Sequence, residues 1–267
     1  MKTEDICFFT VGTNFYQHFA PAYIWFGQQS NPGAAFEIIV NNVIHFEEEH
    51  GEAIEYLRKF GEILIRGIPD IKPRPAMDNT YRFIVEPITK RDFTYIGDID
   101  LLLLEDASLT HHKVFASGRD YSNIVRPGTH KMSGLHFTKT SSQFPLPNIQ
   151  KLIKKFPNDE ELLYAIMDKQ NRIVNDVIFD SFRPVLGLHL SLNRLMFSGP
   201  DRPGWEINSK NLKLLSKFVD SSSFSDFYEL SSENSKIVLK TAIALKELSA
   251  SLGTTDIPSW VDFVRNI

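Results

Sequence analysis

The chain has 267 residues, of which 42% are hydrophobic and 23% are charged, as in an ordinary folded protein. This length is enough for one large domain or two small ones. The net charge of −4 at pH 7 argues against a nucleic-acid partner, and the single cysteine excludes an internal disulfide.

Strand-like and helical segments alternate through the first 65 residues. We predict a strand, a helix, a second strand and a second helix at residues 6–11, 15–29, 36–40 and 47–65. Pro21 would have to lie near the start of the first helix. Cys7 lies in the apolar run of the first strand, so we expect a buried, inert thiol. This order of elements is typical of an α/β domain with a parallel sheet.

Polar residues follow both of these predicted strands. Gly12, Thr13 and Asn14 come after the first, and Asn41 and Asn42 come after the second. Ligands of open parallel sheets bind beyond the carboxyl ends of the strands. We therefore expect these residues to lie beside one site.

The most informative segment is 95–104, where Asp98 and Asp100 interrupt an apolar run that predicts a third strand. Aspartate is depleted in strands, and an unpaired buried carboxylate is costly. Residues two apart in an extended chain point to one side, so both carboxylates can reach one divalent cation, either directly or through water. Gly97 would let a ligand approach the backbone. The alternative is that Asp98 ends a strand or caps a turn.

The rest of the chain is predicted as short elements followed by helices. A short element of either type is expected at 81–85, and a local linker at 221–223. Strand-like runs occur at 114–117, 135–138 and 185–192, and helices are predicted at 157–169, 209–219, 232–252 and 258–265.

The order of these parts resembles the metal-dependent glycosyltransferases of the GT-A type over most of residues 5–200. The resemblance rests on an α/β half followed by an Asp-x-Asp motif near residue 100. It implies that Asp98 and Asp100 hold Mn²⁺ or Mg²⁺ against the diphosphate of a nucleotide sugar, with His189 completing the metal shell. Bacterial lipopolysaccharide glucosyl- and galactosyltransferases follow their late histidine with Gly and then Lys-Pro-Trp. This chain has Ser-Leu-Asn-Arg at 191–194 instead, and Arg194 could serve the diphosphate.

The resemblance also implies a fold and a set of partners. We expect a single α/β, GT-A-like sheet, mostly parallel and flanked by helices, in a catalytic domain at 1–205. Its nucleotide-binding part would end near 105, its acceptor part would span about 106–205, and a helical extension at 206–267 would pack on it. The donor would be a nucleotide sugar, by analogy a UDP-sugar, and the acceptor a saccharide or lipid-linked glycan. No apolar run approaches the ~20 residues that span a bilayer, so we expect a cytoplasmic protein with, at most, peripheral contact at the inner face of a membrane.

Further candidate residues each have an ordinary alternative. Asp100 is expected to act in catalysis, and Glu160 or Glu161 to contact the acceptor or act as general base, although a helix start also favours acidic residues. His136 is expected to contact the acceptor. Nucleotide contacts, as opposed to plain turns or an exposed charge, are expected at Thr10, Gly12, Thr13, Asn41 and Arg82. For Arg82 the exposed surface charge is the favoured alternative.

Two other functions stay open. A metal-dependent phosphoester hydrolase or nucleotidyltransferase could use the same carboxylates and histidine, and a non-catalytic α/β binding module would need the aspartates only for structure. The sequence contains no G-x-G-x-x-G fingerprint, no Walker motif and no G-x-S-x-G elbow.

Overall fold

The structure, a computed structural model, describes residues 2–70, 78–108, 120–121, 125, 129–146, 150–156, 158–173, 187–190 and 209–252. Within these residues the chain forms seven strands, two sheets and nine α-helices. The strands are β1 (Ile6–Gly12), β2 (Ala35–Val40), β3 (Ile63–Gly67), β4 (Phe93–Ile96), β5 (Leu101–Leu103), β6 (His136–Lys139) and β7 (Gly187–His189).

Six of the described helices lie between strands, and the other three follow the last strand, β7. They are α1 (Ala20–Ser30), α2 (Val43–Arg58), α3 (Tyr81–Ile84), α4 (Thr140–Gln143), α5 (Gln150–Lys155), α6 (Asp159–Lys169), α7 (Ser209–Val219), α8 (Ser222–Leu230) and α9 (Glu233–Leu252). Three 3₁₀ turns cover Thr3–Asp5, Asn14–Phe19 and Asp78–Thr80. Among the described residues, no helix is both long and apolar enough to cross a membrane.

The main sheet has five strands in the order β3-β2-β1-β4-β6. The first four are parallel to one another, and β6 runs antiparallel to β4. The two remaining strands, β5 and β7, form a separate antiparallel pair. The chain is therefore an α/β protein with a mostly parallel sheet, as the sequence predicted.

Both faces of the central strand are buried. Phe8 of β1 packs in one hydrophobic core together with α1 and the C-terminal helices, whereas Cys7 and Phe9 face a second core that contains α6. All seven residues of β1 are buried, and burial raises the pKa of the Cys7 thiol. Helices cover the two sides of the sheet, as expected for parallel strands.

The C-terminal helices pack on α1. Trp25 is fully enclosed, and its ring stacks on Phe227 at 5.7 Å and meets Phe224 edge-on at 5.1 Å. Leu215 of α7 and Leu239 of α9 are buried in the same core. The division of the chain into a catalytic domain and a helical extension stays a prediction.

Two secondary-structure predictions were wrong in part. The helix expected over 47–65 ends at Arg58, and the chain then forms β3, in which Ile63 pairs with Phe36 in parallel. Residues 221–223 begin α8 and are not a linker, because Ser221 caps that helix by accepting a hydrogen bond from the backbone N–H of Phe224. The predicted elements at 114–117 and 258–265 lie outside the described residues.

Candidate metal centre

The candidate centre lies where the central strands end. Because β2, β1 and β4 are adjacent and parallel, their last residues meet at one edge of the sheet. Beyond β4 the chain turns through residues 97–100 and enters β5. Asp98 and Asp100 are therefore in a connection rather than inside the expected extended strand.

The small β5–β7 sheet delivers the histidine to this edge. Leu101 is paired with His189 in antiparallel register, and the backbone N–H of Leu190 donates to the Asp100 carbonyl oxygen at 2.7 Å. Asp100 and His189 are almost 90 residues apart in sequence, and pairing of two three-residue strands brings them together. His189 was predicted as a metal ligand from the family resemblance, because its distance along the chain from Asp100 gives no such signal.

The three side chains converge. His189 Nε2 lies 2.8 Å from Asp100 Oδ1 and 3.8 Å from Asp98 Oδ2, and one ligand atom from each residue lies within 4.8 Å of the others. Asp100 is only 6% exposed, whereas Asp98 is partly open to solvent. Two carboxylates and one imidazole at this separation can share one divalent cation, with other positions free for water or phosphate oxygens.

A buried arginine holds one of the aspartates. Arg82 Nη1 donates to Asp98 Oδ1 at 2.6 Å and to the Gly97 carbonyl oxygen at 2.8 Å, and Nη2 donates to Asp159 Oδ2 at 3.1 Å. Asn79 also donates to Asp159, at 2.9 Å. Burial alone would lower the pKa of Arg82, but Asp98 and Asp159 outweigh it and raise that pKa above its usual value. The favoured expectation of an exposed surface charge at Arg82 was therefore wrong.

The charges of this network leave room for a cation. Asp98, Asp100 and Asp159 carry three negative charges, and Arg82 carries one positive charge. With His189 neutral the formal balance is −2, which one divalent cation would cancel. Clustered, partly desolvated carboxylates repel one another, so a bound cation would stabilise this arrangement.

The backbone around the aspartates is held closely. Thr10 Oγ1 donates to the Gly97 carbonyl oxygen at 2.7 Å, which ties β1 to the turn. A Cβ atom added to Gly134 would lie 2.8 Å from Arg82 Nη2. A Cβ at Gly12 would lie 2.5 Å from Ile99 Cδ1. Thr10 and Gly12 were predicted as nucleotide contacts; Thr10 bonds the aspartate turn, Gly12 lies beside Ile99 of the same turn, and nucleotide binding by either stays a prediction.

The loops after β1 and β2 also contact each other. Asn14 has a positive φ of 51°, and its backbone N–H donates to the Asn41 side-chain oxygen. Thr13 precedes the 3₁₀ turn and is partly buried, while Asn42 caps α2 by accepting from the backbone N–H of His45 at 3.2 Å. These strand ends do meet, as expected, and nucleotide binding by Thr13 and Asn41 stays a prediction.

The acidic helix start contributes a different residue from those expected. Asn158 caps α6 by accepting from the backbone N–H of Glu161 at 2.8 Å, and the Glu161 carboxylate lies 3.4 Å from Lys131 Nζ. The Glu160 carbonyl oxygen accepts from the backbone N–H of Met132. Asp159 is the acidic residue of this turn that reaches the Arg82 network. The sequence placed Asp159 in the same acidic helix start as Glu160 and Glu161, and its partner 77 residues earlier gives no local signal.

The two remaining predicted residues are His136 and Arg194. His136 is buried in β6, with Nε2 3.3 Å from Gln143 Oε1. Its predicted contact with an acceptor is untested, as are the catalytic roles of Glu160 and Glu161. Arg194 lies outside the described residues.

No protein-family model matches this chain, and no curated protein matches it either. What the protein does therefore has to be inferred from the geometry of its own residues.

Proposed function

We propose that this protein is a metal-dependent glycosyltransferase that moves a sugar from a nucleotide-sugar donor to a saccharide or lipid-linked acceptor. The observation that carries the proposal is the convergence of Asp98, Asp100 and His189 at the carboxyl edge of a mostly parallel sheet. The order of parts agrees with the GT-A type, with a parallel α/β half, an Asp-x-Asp turn near residue 100 and a later histidine. The GT-A assignment is part of the proposal.

The chemistry follows from the charge of the leaving group. When the bond between the anomeric carbon and the diphosphate breaks, negative charge grows on the diphosphate oxygens. A divalent cation such as Mn²⁺ or Mg²⁺ at Asp98, Asp100 and His189 would neutralise that charge and orient the leaving group. Mg²⁺ and Mn²⁺ suit carboxylate oxygens, and such sites commonly combine one or two carboxylates with substrate phosphates.

Arg82 has a positioning role in this proposal. Its Nη1 and Nη2 atoms already bond two carboxylates and a carbonyl oxygen of the protein. It bonds Asp98 Oδ1, and Asp98 Oδ2 is the oxygen that faces His189 at 3.8 Å. Arg82 was also a candidate for phosphate binding. We expect the cation, rather than Arg82, to bind the diphosphate.

The acceptor side is less defined by contacts. Glu160 and Glu161 begin α6 next to Asp159, and either could take a proton from an acceptor hydroxyl if the enzyme inverts configuration. His136 and Arg194 are the remaining proposed contacts, to the acceptor and the diphosphate respectively. A lipid-linked acceptor would bring the protein to a membrane surface as a peripheral partner.

The first test is calorimetric binding of UDP and GDP with and without Mn²⁺. We expect one nucleoside diphosphate to bind only when Mn²⁺ is present, and Asp100→Asn to weaken that binding at least tenfold because one metal ligand is lost. Asp92→Asn is the matched control, since Asp92 is exposed before β4 and outside the cluster. Equal Mn²⁺-independent binding by all three proteins, or none, would contradict the proposal.

The products then separate transfer from phosphate-ester chemistry. A glycosyltransferase incubated with its nucleotide sugar releases the nucleoside diphosphate, because the bond at the anomeric carbon breaks. A hydrolase acting on the phosphoanhydride releases the nucleoside monophosphate and a sugar phosphate. Release of the monophosphate would replace our proposal by the hydrolase alternative.

A further inference from the structure

A second cluster of metal-ligating side chains lies between the Asn14–Phe19 turn, α2 and the start of α9. His18 Nδ1 lies 3.1 Å from His50 Nε2 and 3.3 Å from Glu49 Oε1, and His50 Nε2 lies 3.7 Å from Glu49 Oε2. His50 is 1% exposed and His18 is buried, whereas Glu49 is partly open to solvent. We call these three residues the His18–Glu49–His50 cluster.

Two serine hydroxyls contact His50 Nδ1 and favour one tautomer of the ring. The Ser235 hydroxyl donates its one hydrogen to the His18 carbonyl oxygen at 2.9 Å. It can therefore only accept from His50 Nδ1, which lies 3.3 Å away, and this contact favours the tautomer with the proton on Nδ1. Ser232 Oγ is also 3.0 Å from His50 Nδ1. In the neutral ring, Nε2 then has its lone pair free.

This lone pair faces other electron-rich atoms. In this tautomer His50 Nε2 and Glu49 Oε2 are both acceptors, so neither donates to the other across their 3.7 Å separation. A proton on His18 Nδ1 can form a good hydrogen bond with one acceptor. Two acceptors, His50 Nε2 and Glu49 Oε1, lie within hydrogen-bond distance of that nitrogen. A cation at the centre would be attracted to all three residues at once.

The separations suit a small tetrahedral ion. Zinc binds imidazole nitrogen and carboxylate oxygen at about 2.0–2.2 Å, which sets neighbouring ligand atoms roughly 3.3–3.5 Å apart. The two imidazole nitrogens are 3.1 Å apart, the Glu49 carboxylate approaches His18 through Oε1 at 3.3 Å and His50 through Oε2 at 3.7 Å, and one ligand atom from each residue lies within 4.8 Å of the others. Two imidazoles and one carboxylate also suit zinc better than magnesium or calcium, which prefer oxygen ligands alone.

We propose that His18 Nδ1, His50 Nε2 and the Glu49 carboxylate bind one Zn²⁺, with water in the fourth position on the solvent side of Glu49. This site is separate from the Asp98 centre and does not depend on the proposed function. It would bind the ion without a cysteine.

The groups that orient the ligands all come from the beginning of α9. Ser235 bonds His18 and His50, Ser232 bonds His50, and Asn234 Nδ2 donates to Glu49 Oε1 at 2.7 Å. Partners of metal ligands fix the ring orientation and strengthen binding. Zinc bound here would therefore fasten the C-terminal helix to α2 and to the loop after β1.

The test is zinc titration against a competing chromogenic chelator, with the Asp98 centre disabled by Asp100→Asn in every protein. We expect one Zn²⁺ per chain in this background, and at least 100-fold weaker binding when Glu49→Gln or His18→Gln is added. Ser235→Ala should weaken binding about 10–100-fold, because the partner of two ligands is lost. His45→Gln is the matched control, since His45 forms an exposed pair with Glu48 on the same helix and should leave the affinity unchanged.

Thermal unfolding gives a second measurement. Zinc in 100-fold excess over its dissociation constant should raise the melting temperature by several degrees in the Asp100→Asn protein and leave the Glu49→Gln variant unchanged. If His18→Gln does not fold, Glu49→Gln decides, because the Glu49 side chain is partly exposed and circular dichroism can verify the fold of that variant. Equal zinc affinity in Glu49→Gln and His45→Gln, or no stoichiometric binding at micromolar zinc, would overturn the proposal.

Discussion

Arg82 is the residue on which the geometry of the candidate metal centre depends most. It is buried, and its fork of donors joins the end of β4 to the start of α6 through Asp98 and Asp159. A lysine has one ammonium group and cannot bond both carboxylates and the Gly97 carbonyl oxygen with the same planar fork. The arginine is therefore required by shape as well as by charge.

We predict that Arg82→Met destabilises the protein by about 3 kcal/mol, because removing one partner of a buried ion pair leaves carboxylates without compensation. Asp159→Asn should cost less, since Asp98 keeps its partner. Urea unfolding measures both. Arg91→Met is the control, because its pair with Glu62 is much more exposed and should be worth less than about 1 kcal/mol. If Arg82→Met costs no more than Arg91→Met, the network does not stabilise the fold.

At the scale of elements, the sequence predicted well those helices and strands that local interactions determine. The strand β1, the helix α7 and the capped start of α6 were predicted close to their observed bounds, since apolar runs and caps are local signals. The strand β3 was missed because Ile63–Gly67 continues a helical pattern, and its pairing with β2 depends on a distant partner. Residues 97–100 were predicted as strand, although the chain leaves the main sheet there.

The residues of the candidate site also differ in whether local sequence could predict them. The aspartate pair could be recognised because two charges in an apolar run are a local anomaly. Asp159 and Gly134 could not, because their importance comes from packing against Arg82, which the fold brings to them from another element. Likewise, nothing near His18 or Glu49 in sequence indicates that residues 232–235 will enclose them.

The cap of α6 offers a test at this scale. Asn158→Ala removes the oxygen that accepts from the Glu161 N–H, so we expect a loss of about 1 kcal/mol in the free energy of unfolding. Asn158→Ser keeps a capping oxygen and should retain most of the stability. Denaturant titrations of the three proteins measure the difference. Equal losses for alanine and serine would show that the cap is not what the asparagine provides.

At the scale of the whole molecule, the question is whether the C-terminal helices unfold with the sheet. Trp25 lies at this contact, with Phe218, Phe224 and Phe227 around its ring at 5.1–6.4 Å. These aromatic rings come from α7 and α8, whereas Trp25 belongs to the helix that covers β1 and β2. A shared, fully buried core of this kind favours a single cooperative unit.

We therefore predict one unfolding transition, seen at the same urea concentration by tryptophan fluorescence and by far-ultraviolet circular dichroism. Trp25→Ala should lower the free energy of unfolding by about 3–5 kcal/mol, because it opens a cavity between the helices and the sheet. Phe60→Ala is the control: Phe60 is 50% exposed, so its truncation should change stability far less. Two separate transitions in the parent protein, with Trp25→Ala shifting only one of them, would mean that the C-terminal helices fold as a unit of their own. The zinc ion proposed at His18, Glu49 and His50 would then stabilise the contact between α9 and the sheet domain.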